Sequence, residues 1–363
     1  AQHTFSSRFK TPMEKLRALF VFCTETYNLI DDNGKTDFGK EPTNLSKVMH
    51  KAYCTPYELT WIFKRMANAL DVICEIVVGF LKTPNADNTE FKFNHCWLRL
   101  LINDEWRFVD VILGNVTNPI HEYVNNKPSK KAEDYYFLTE PLKLIYTHIP
   151  YFYEEQHIVP VVDKNIALCL PTVFPSFFKN DLKLYKFSNG LSKLEDSEVY
   201  ECSLFVPNDV EVFSSVTIES DSNEKYKSMD LSLVQTKWHK NRRIASIKAV
   251  LPPGTSTGTL HIHSGVKSLQ TSLANVHPLS FIIPLEHRGS AKEYEFVVRV
   301  PPVTAQKVDL YIKKPQNKYL FSENEYTFQI IQHPSDGLVY ESSAFSKKKH
   351  TLALQSPSGK IYH

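Results

Sequence analysis

The sequence is poor in the features that mark several large classes of protein. Its 363 residues include only 11 glycines, and no Gly-rich loop that could cradle a phosphate is visible. The formal net charge of +2 argues against a dedicated nucleic-acid binder, which would be expected to carry a strongly basic face. The six cysteines are scattered, without the dense spacing of a disulfide scaffold. Hydrophobic residues make up 42% of the chain, which is enough for real cores.

The sequence also lacks any apolar run long enough to span a bilayer and any recognisable signal peptide. Because it begins with Ala1 rather than Met, we interpret it as a piece of a longer protein. These features together predict a reducing, cytoplasmic compartment. His50 with Cys54, and His261 with His263, could each offer two metal ligands, but neither pair has the remaining ligands nearby in the sequence. We therefore predict no metal site and no cofactor.

Residues 1–164 mix helical and extended patterns. Apolar residues recur at helical spacing over 12–27. A second helix is predicted to begin at Thr55-Pro56, where Glu58 completes a Thr-x-x-Glu capping box. Strands are predicted at 72–81, 94–102 and 105–113, the last two joined by a tight turn at Asn103-Asp104. The polar segment 116–134 is predicted to be a surface loop.

From about residue 165 onward, helical periodicity nearly vanishes and short β-rich runs recur between turn signals. The predicted strands are 201–206, 210–218, 243–250, 257–264, 294–300, 308–312 and 326–331. This pattern is typical of one or two β-sandwich domains. We place a boundary at His277-Pro278, which gives a β-sandwich domain over 165–276 and a second β-rich domain over 277–363.

The stretch with the most chemical information is Asn94-His95-Cys96-Trp97 followed by Trp106 to Asp110. A hairpin that turns on Asn103-Asp104 pairs residues whose numbers add up to about 207. Asp110 would then lie on the same face as His95, within diagonal reach. A carboxylate at this position could orient the imidazole and stabilise its charged form. A turn longer or shorter by one residue would put the two side chains on opposite faces.

Nucleophilic catalysis would require a third member, a thiol at a helix N-terminus, where the helix dipole and a nearby imidazolium lower its pKa. Cys54 stands immediately before the predicted helix at Thr55-Pro56 and could complete a Cys54-His95-Asp110 triad. Trp97 and Trp106 are predicted to be core aromatics that support the hairpin.

A strand with His-x-Trp, then Trp-x-x-x-Asp, preceded by a helix that opens at a Cys, resembles the transglutaminase-like, papain-related superfamily. The flanking stretches 14–20, 135–141 and 148–150 are similar to those of the kyphoscoliosis-peptidase group, whose fungal members form the cytokinesis protein 3 family. The later stretches 309–312 and 356–360 are similar as well. The resemblance implies an α+β fold, in which a transglutaminase-like domain over 1–164 is followed by β-sandwich material.

The sequence departs from this family at the nucleophile. An alignment without gaps puts Pro56, which has no nucleophilic atom, at the position of the catalytic Cys, and Cys54 then lies two residues too early. We therefore predict a pseudoenzyme in which His95 and Asp110, with Trp97, Cys54 and Pro56, line a groove that holds a partner peptide. Three alternatives remain open: a pair, His95 and Asp110, that does no more than brace the hairpin; a small insertion that makes Cys54 the nucleophile of a protease or transglutaminase; and a structural spacer whose β domains carry the contacts.

The resemblance further implies a role in cytokinesis at the division site, the bud neck with its actomyosin ring. Fungal members promote primary septum formation, in part through chitin synthase. The implied partners are chitin synthase, a C2-domain ingression protein, an F-BAR protein and an IQGAP-type scaffold, with no nucleic acid and no transmembrane segment. These expectations rest on the resemblance alone.

Overall fold

The computed structural model describes residues 9–32, 34–84, 88–187, 189–190, 192–193, 199–218, 231–267, 277–287, 295–297, 308–334, 354–355 and 361–362. Its helices are α1 (Pro12–Thr26), α2 (Leu45–Val48), α3 (Pro56–Asn68), α4 (Ile120–Asn125), α5 (Pro141–Leu144), α6 (Lys164–Cys169) and α7 (Pro175–Lys179). Its first nine strands are β1 (Asn28–Leu29), β2 (Tyr53–Cys54), β3 (Cys74–Leu81), β4 (His95–Ile102), β5 (Glu105–Val109), β6 (His148–Pro150), β7 (Thr172–Val173), β8 (Lys183–Lys186) and β9 (Ser192–Lys193). The remaining strands are β10 (Tyr200–Phe205), β11 (Val210–Ile218), β12 (Ser232–His239), β13 (Arg242–Ala249), β14 (Thr257–Val266), β15 (Leu279–Glu286), β16 (Val308–Lys314), β17 (Gln329–Pro334), β18 (Leu354–Gln355) and β19 (Ile361–Tyr362). None of the helices in these ranges is both long enough and apolar enough to cross a membrane.

The two longest helices, α1 and α3, begin at capping boxes. The hydroxyl of Thr11 accepts a hydrogen bond from the backbone N–H of Glu14 at 3.2 Å, and the Glu14 carboxylate accepts one from the Thr11 N–H at 3.0 Å. Thr55 and Glu58 make the same reciprocal pair at α3. A proline follows each cap, at a position where its missing N–H costs nothing. The predicted helix start at Thr55-Pro56 is confirmed.

The first part of the chain contains an antiparallel sheet with the order β5-β4-β3-β6. The β4–β5 hairpin turns at Asn103 and Asp104, whose φ angles of 50° and 64° are those of a two-residue type I′ turn. Ile102 pairs with Glu105, so the register predicted from the sequence is confirmed. Strand β5 ends at Val109, which is earlier than predicted and leaves Asp110 just beyond the strand.

This sheet is buried on both faces. One face packs against α1 and α3, with Phe20, Phe63 and Leu98 in a common core. The opposite face carries Val77 and Trp97 in a smaller cluster. Because successive side chains of a strand point to opposite faces, the residues of β4 divide between the two cores.

The second part of the chain is a sandwich of two sheets. One sheet has the order β12-β13-β10-β8, and the other has the order β11-β14-β15-β7, with β9 added to β15. Leu204 and Ile247 from the first sheet share a core with Leu260, Ile262 and Phe281 from the second. The structure is therefore mixed α/β with mostly sheets, and all of the described helices precede residue 180.

The sandwich extends beyond the boundary that we predicted at His277-Pro278. Strand β15 follows that point, yet it pairs with β14 over most of its length and with β7 on its other side. The sheet thus continues to Glu286. The apolar run that follows Pro278 is a central strand of this sheet, and it does not begin a new domain. The predicted strand 294–300 falls mostly outside the described residues. Within it, Phe296 forms an isolated β-bridge with Asn317.

The segment 116–134, which we predicted to be a surface loop, contains helix α4. The prediction is wrong there because the polar composition hides a short apolar face made by Ile120 and Val124, four residues apart. Val124 is buried against Phe174 and Ile282 of the sandwich. Helix α4 therefore connects the first sheet domain to the sandwich.

Strand β16 is docked on the sandwich through side chains of β12 and β13. Gln235 bonds both the N–H and the carbonyl of Ile312. Arg243 and Asp309 form a buried ion pair, with Nε 2.7 Å from Oδ2. The antiparallel pair of β16 and β17 is thus held at a defined position against the sandwich.

Candidate functional site

The β4–β5 hairpin brings His95 and Asp110 together, as predicted. His95 is the first residue of β4 and Asp110 follows the last residue of β5, and in this register both side chains lie on the same face. His95 Nε2 lies 2.6 Å from Asp110 Oδ2. The carboxylate therefore accepts a hydrogen bond from the imidazole and fixes its tautomer and orientation.

Asp110 is held rigidly on its other side as well. Its Oδ1 accepts hydrogen bonds from the backbone N–H groups of Ile112 and Leu113, at 2.8 and 2.9 Å. Burial alone would raise the pKa of this carboxyl, but the imidazoles of His95 and His148 outweigh burial and hold its pKa well below the usual value. Asp110 is therefore a buried carboxylate with polar partners within hydrogen-bond distance of both of its oxygens.

The second imidazole, that of His148, is the site residue that the sequence reasoning missed. It comes from β6, next to Leu81 of β3, and its Nε2 lies 2.9 Å from the same Asp110 Oδ2. Burial lowers the pKa of His148, and Asp110 partly opposes this. The sequence showed His148 only within a family-like stretch, because nothing in local spacing links β6 to the β4–β5 hairpin.

Trp97 packs against both imidazoles. Its ring stacks on His95 with centroids 6.2 Å apart, and it meets His148 edge-on at 5.1 Å. The indole Nε1 is buried and has no hydrogen-bond partner among the described residues. The prediction that Trp97 is a core aromatic is confirmed, whereas Trp106 is only partly buried and stacks on His157.

A cavity of about 400 Å³ opens beside His95, between the first sheet domain and the sandwich. Most of its lining is apolar, including Leu113 and Phe174. His95 Nε2 is taken up by Asp110, and Nδ1 makes no hydrogen bond within the described ranges. Nδ1 is therefore the ring nitrogen that remains for a group in the cavity.

Cys54 and Pro56 do not line this cavity. Cys54 is fixed in β2, where its carbonyl accepts a hydrogen bond from Ile30 N, and its side chain is buried in the core shared with α1. Burial, followed by the Glu58 carboxylate, raises the pKa of the Cys54 thiol to about 12. Helix α3 instead reaches β4 through Thr60, whose hydroxyl oxygen lies 3.6 Å from the Cys96 thiol.

Among the residues that the structure describes, neither of the two pairs considered as metal ligands in the sequence belongs to a group of three or more potential ligands. His261 bonds the hydroxyl of Tyr123 through Nε2, and His263 Nδ1 bonds the His277 carbonyl. A different set of candidate ligands comes together in space, formed by His95, Asp110 and His148.

The chain is 60% identical to cytokinesis protein 3 of Saccharomyces cerevisiae over 370 residues, which cover all of this chain and 42% of that protein. The predicted resemblance to fungal cytokinesis protein 3 is confirmed. Cytokinesis protein 3 of Schizosaccharomyces pombe is 29% identical over 361 residues, covering 97% of this chain and 39% of that protein. Residues 303–363 match the family described as the CYK3 C-terminal Ig-like domain, which includes β16 and β17. The chain thus spans about two fifths of the length of these two relatives.

Proposed function

We propose that this chain is a protein-binding module that acts in cytokinesis, built on a catalytically inactive transglutaminase-like domain. The similarity to proteins named cytokinesis protein 3 supports the process. The His95–Asp110 pair supports the domain type, since an imidazole oriented by a carboxylate on a neighbouring strand is the part of the Cys-His-Asp pattern that the sequence retains.

The observation that carries the proposal is the cavity beside His95. In a working site, the imidazole nitrogen opposite the carboxylate would face a thiol. Here His95 lines a cavity of about 400 Å³ to which neither Cys54 nor Pro56 contributes. A volume of this size between two domains can hold one or two side chains of a bound segment.

The thiol nearest in sequence has the wrong properties for a nucleophile. A reactive cysteine needs a lowered pKa and partial exposure, whereas Cys54 is buried and its pKa is raised to about 12. Its surroundings include Cys23, whose own pKa the Cys54 group helps to raise. Cys54 is therefore better explained as a residue of the hydrophobic core to which α1 contributes.

The lining indicates what kind of group would bind. Leu113, Ile120 and Phe174 provide an apolar wall. With Nε2–H donated to Asp110, His95 Nδ1 is an acceptor, so a bound side chain would be apolar with a hydrogen-bond donor at its tip. Such a side chain would come from a division-site protein, and the candidates are chitin synthase, a C2-domain ingression protein, an F-BAR protein or an IQGAP-type scaffold.

The test is capture of these four proteins by the purified chain and its variants. His95→Ala should abolish capture of one of them, and Thr83→Trp should do the same by filling the cavity from its partly exposed rim. Cys54→Ala and His50→Ala, the second being an exposed histidine elsewhere, should leave capture intact. Circular dichroism checks that each variant is folded.

If folded His95→Ala and Thr83→Trp both capture every partner normally, the groove is not the binding surface. Deletion of the β domains would then show whether they carry the contacts, as the spacer hypothesis holds.

The rival proposal is a live Cys54-His95-Asp110 enzyme, and alkylation tests it directly. The rate of Cys54 alkylation should rise only at strongly alkaline pH and should not change in His95→Ala. An activated thiolate would titrate at roughly 3.5–7.5. A low-pKa Cys54 that loses its reactivity without His95 would refute the pseudoenzyme.

A further inference from the structure

Three potential metal-ligand atoms from separate parts of the chain converge at the base of the site. His95 Nε2 comes from β4, Asp110 Oδ2 from the residue after β5, and His148 Nε2 from β6. All three atoms lie within 4.8 Å of one another, and all three residues are buried. Because the three backbones belong to one hydrogen-bonded sheet, their spacing is fixed by the fold.

The hydrogen bonds of His148 raise a question about its proton. Nδ1 lies 2.9 Å from the Thr147 hydroxyl, and that hydroxyl donates to the Leu144 carbonyl at 3.4 Å. A hydroxyl whose proton goes to a carbonyl accepts from Nδ1, so this arrangement places the ring proton on Nδ1. The Nε2 lone pair of a neutral ring then faces the Asp110 carboxylate at 2.9 Å.

Two hydrogen-bond acceptors, His148 Nε2 and Asp110 Oδ2, can lie 2.9 Å apart only with a proton or a metal ion between them. A second proton would make His148 an imidazolium, and taking an imidazolium out of water is costly. A divalent metal ion would satisfy Nε2 of His148, Nε2 of His95 and Asp110 Oδ2 at once. The alternative is a plain brace in which Thr147 donates to Nδ1 and both Nε2–H groups donate to Asp110.

The remaining bonds match the outer shell of a metal site. Metal-binding histidines usually donate their other ring N–H to a carbonyl, and ligating carboxylates are themselves hydrogen-bonded. His148 Nδ1 has the Thr147 hydroxyl, which is itself bonded to the Leu144 carbonyl, and Asp110 Oδ1 has two backbone N–H groups. Two imidazoles and one carboxylate suit Zn²⁺, which keeps a fourth position open when three protein groups bind it.

We propose that His95, Asp110 and His148 form a binding site for a divalent transition-metal ion, with Zn²⁺ the best match. Bonds of about 2.0–2.2 Å to a tetrahedral zinc ion need donor atoms roughly 3.3–3.5 Å apart. The present separations from Asp110 Oδ2 are 2.6 Å for His95 and 2.9 Å for His148, so zinc binding requires the two rings to move away from Oδ2 by about 0.7 and about 0.4 Å. The cavity gives access, since His95 and Thr147 both line it. The fourth ligand would be water or a group of the bound partner.

Metal binding would also change the groove. With zinc on Nε2, the neutral His95 ring carries its proton on Nδ1, which turns Nδ1 from an acceptor into a donor. This consequence rests on the proposed binding groove. The metal site itself does not rest on the groove, because metal binding can be measured on the chain without any partner.

The experiment is titration of the metal-stripped chain with Zn²⁺ by calorimetry and with Co²⁺ by visible absorption. We expect one ion per chain and, with Co²⁺, the intense bands of a four-coordinate site. His148→Asn and His148→Gln should weaken binding at least about tenfold, whereas His261→Ala, which alters a histidine outside the cluster, should not. Absence of binding, or full binding by a folded His148 variant, overturns the proposal.

Zinc-edge X-ray absorption of the wild-type chain keeps the test decisive if both His148 variants fail to fold. Nitrogen and oxygen ligands at about 2.0–2.1 Å are expected, whereas sulfur at about 2.3 Å would place the ion at a cysteine and refute this site.

Discussion

Asp309 connects the C-terminal segment to the sandwich, and its replacement by Ala should destabilise that junction by about 3 kcal/mol. The carboxylate accepts two hydrogen bonds from the guanidinium of Arg243, one from Nε to Oδ2 at 2.7 Å and one from Nη2 to Oδ1 at 3.0 Å. It also accepts from the hydroxyl of Thr236 at 2.8 Å and from the indole N–H of Trp238 at 3.2 Å. Arg243 and Asp309 are both buried, so the pair is shielded from solvent screening.

The magnitude follows from what Arg243 keeps after the change. Removing one partner of a buried ion pair typically costs about 3–5 kcal/mol, because the other charge stays buried without its counterion. Arg243 retains hydrogen bonds to the carbonyls of Pro207 and Val210, at 2.9 and 2.6 Å. These bonds soften the loss, which places the expected value near the lower end of that range.

The assay is urea unfolding followed by circular dichroism and by the ¹⁹F signal of 5-fluorotryptophan at Trp238, which contacts Asp309 directly. Asp181→Asn is the control, because it removes the ion pair that Asp181 makes with Lys183 on the surface at 3.4 Å, where ion pairs contribute less than about 1 kcal/mol. Asn also tolerates the left-handed φ of 48° at this position. The reasoning fails if Asp309→Ala unfolds at the same urea concentration as Asp181→Asn.

The same pair has a defined pH dependence. Burial raises the pKa of Asp309, but the bonds from Arg243 more than offset burial and leave the pKa below its usual value. A carboxyl whose folded pKa is lowered contributes stability above its unfolded value of about 3.9, and the contribution is lost as the pH falls further. The difference between wild type and Asp309→Ala should therefore shrink in acid.

Three further changes test other parts of the fold by urea unfolding. Gly79→Ala should lower the free energy of unfolding by at least about 1–3 kcal/mol, because the new Cβ would lie 2.2 Å from the Ile149 carbonyl oxygen. Gly39→Ala is the control, and equal stability of the two variants would contradict the close packing of β3 on β6. Burial lowers the pKa of Lys82 to about 7, so between pH 7 and about 10.4 the unfolded chain binds the extra proton and stability rises with pH. Lys82→Met should flatten that rise, and a slope parallel to wild type would refute the assignment. Asp104→Val should cost about 1–2 kcal/mol because Asp104 has a φ of 64°, Asp104→Gly should not, and identical effects would argue against the type I′ turn.

Much of the first domain could be predicted from the sequence because its determinants are local. The capping box at Thr55 fixes where α3 begins, and the Asn103-Asp104 turn fixes the β4–β5 register. Once the register is fixed, a side-chain period of two puts His95 and Asp110 on one face. A contact that follows from one turn and one periodicity needs no knowledge of the rest of the chain.

The sequence predicts that a β-sandwich is present, but it does not predict which strands belong to the sandwich or where it ends. Strand β12 was missed because it follows a charged and polar stretch, and β15 was assigned to the next domain because His277-Pro278 precedes it. Their places are set by pairing with β13 and β14. Turn residues mark where a strand ends, but they carry no information about which sheet the next strand joins.

His148 shows the same limit at the site itself. It is 38 residues from Asp110 in the chain, and only the order β5-β4-β3-β6 brings its Nε2 to the shared carboxylate oxygen. A triad read along the hairpin therefore contains one imidazole, whereas the folded sheet contains two. With one imidazole, the role of the cluster would depend on whether a thiol completes it. With two, Asp110 has a complete set of partners that does not involve a nucleophile, so the cluster can have a structural or metal-binding role of its own.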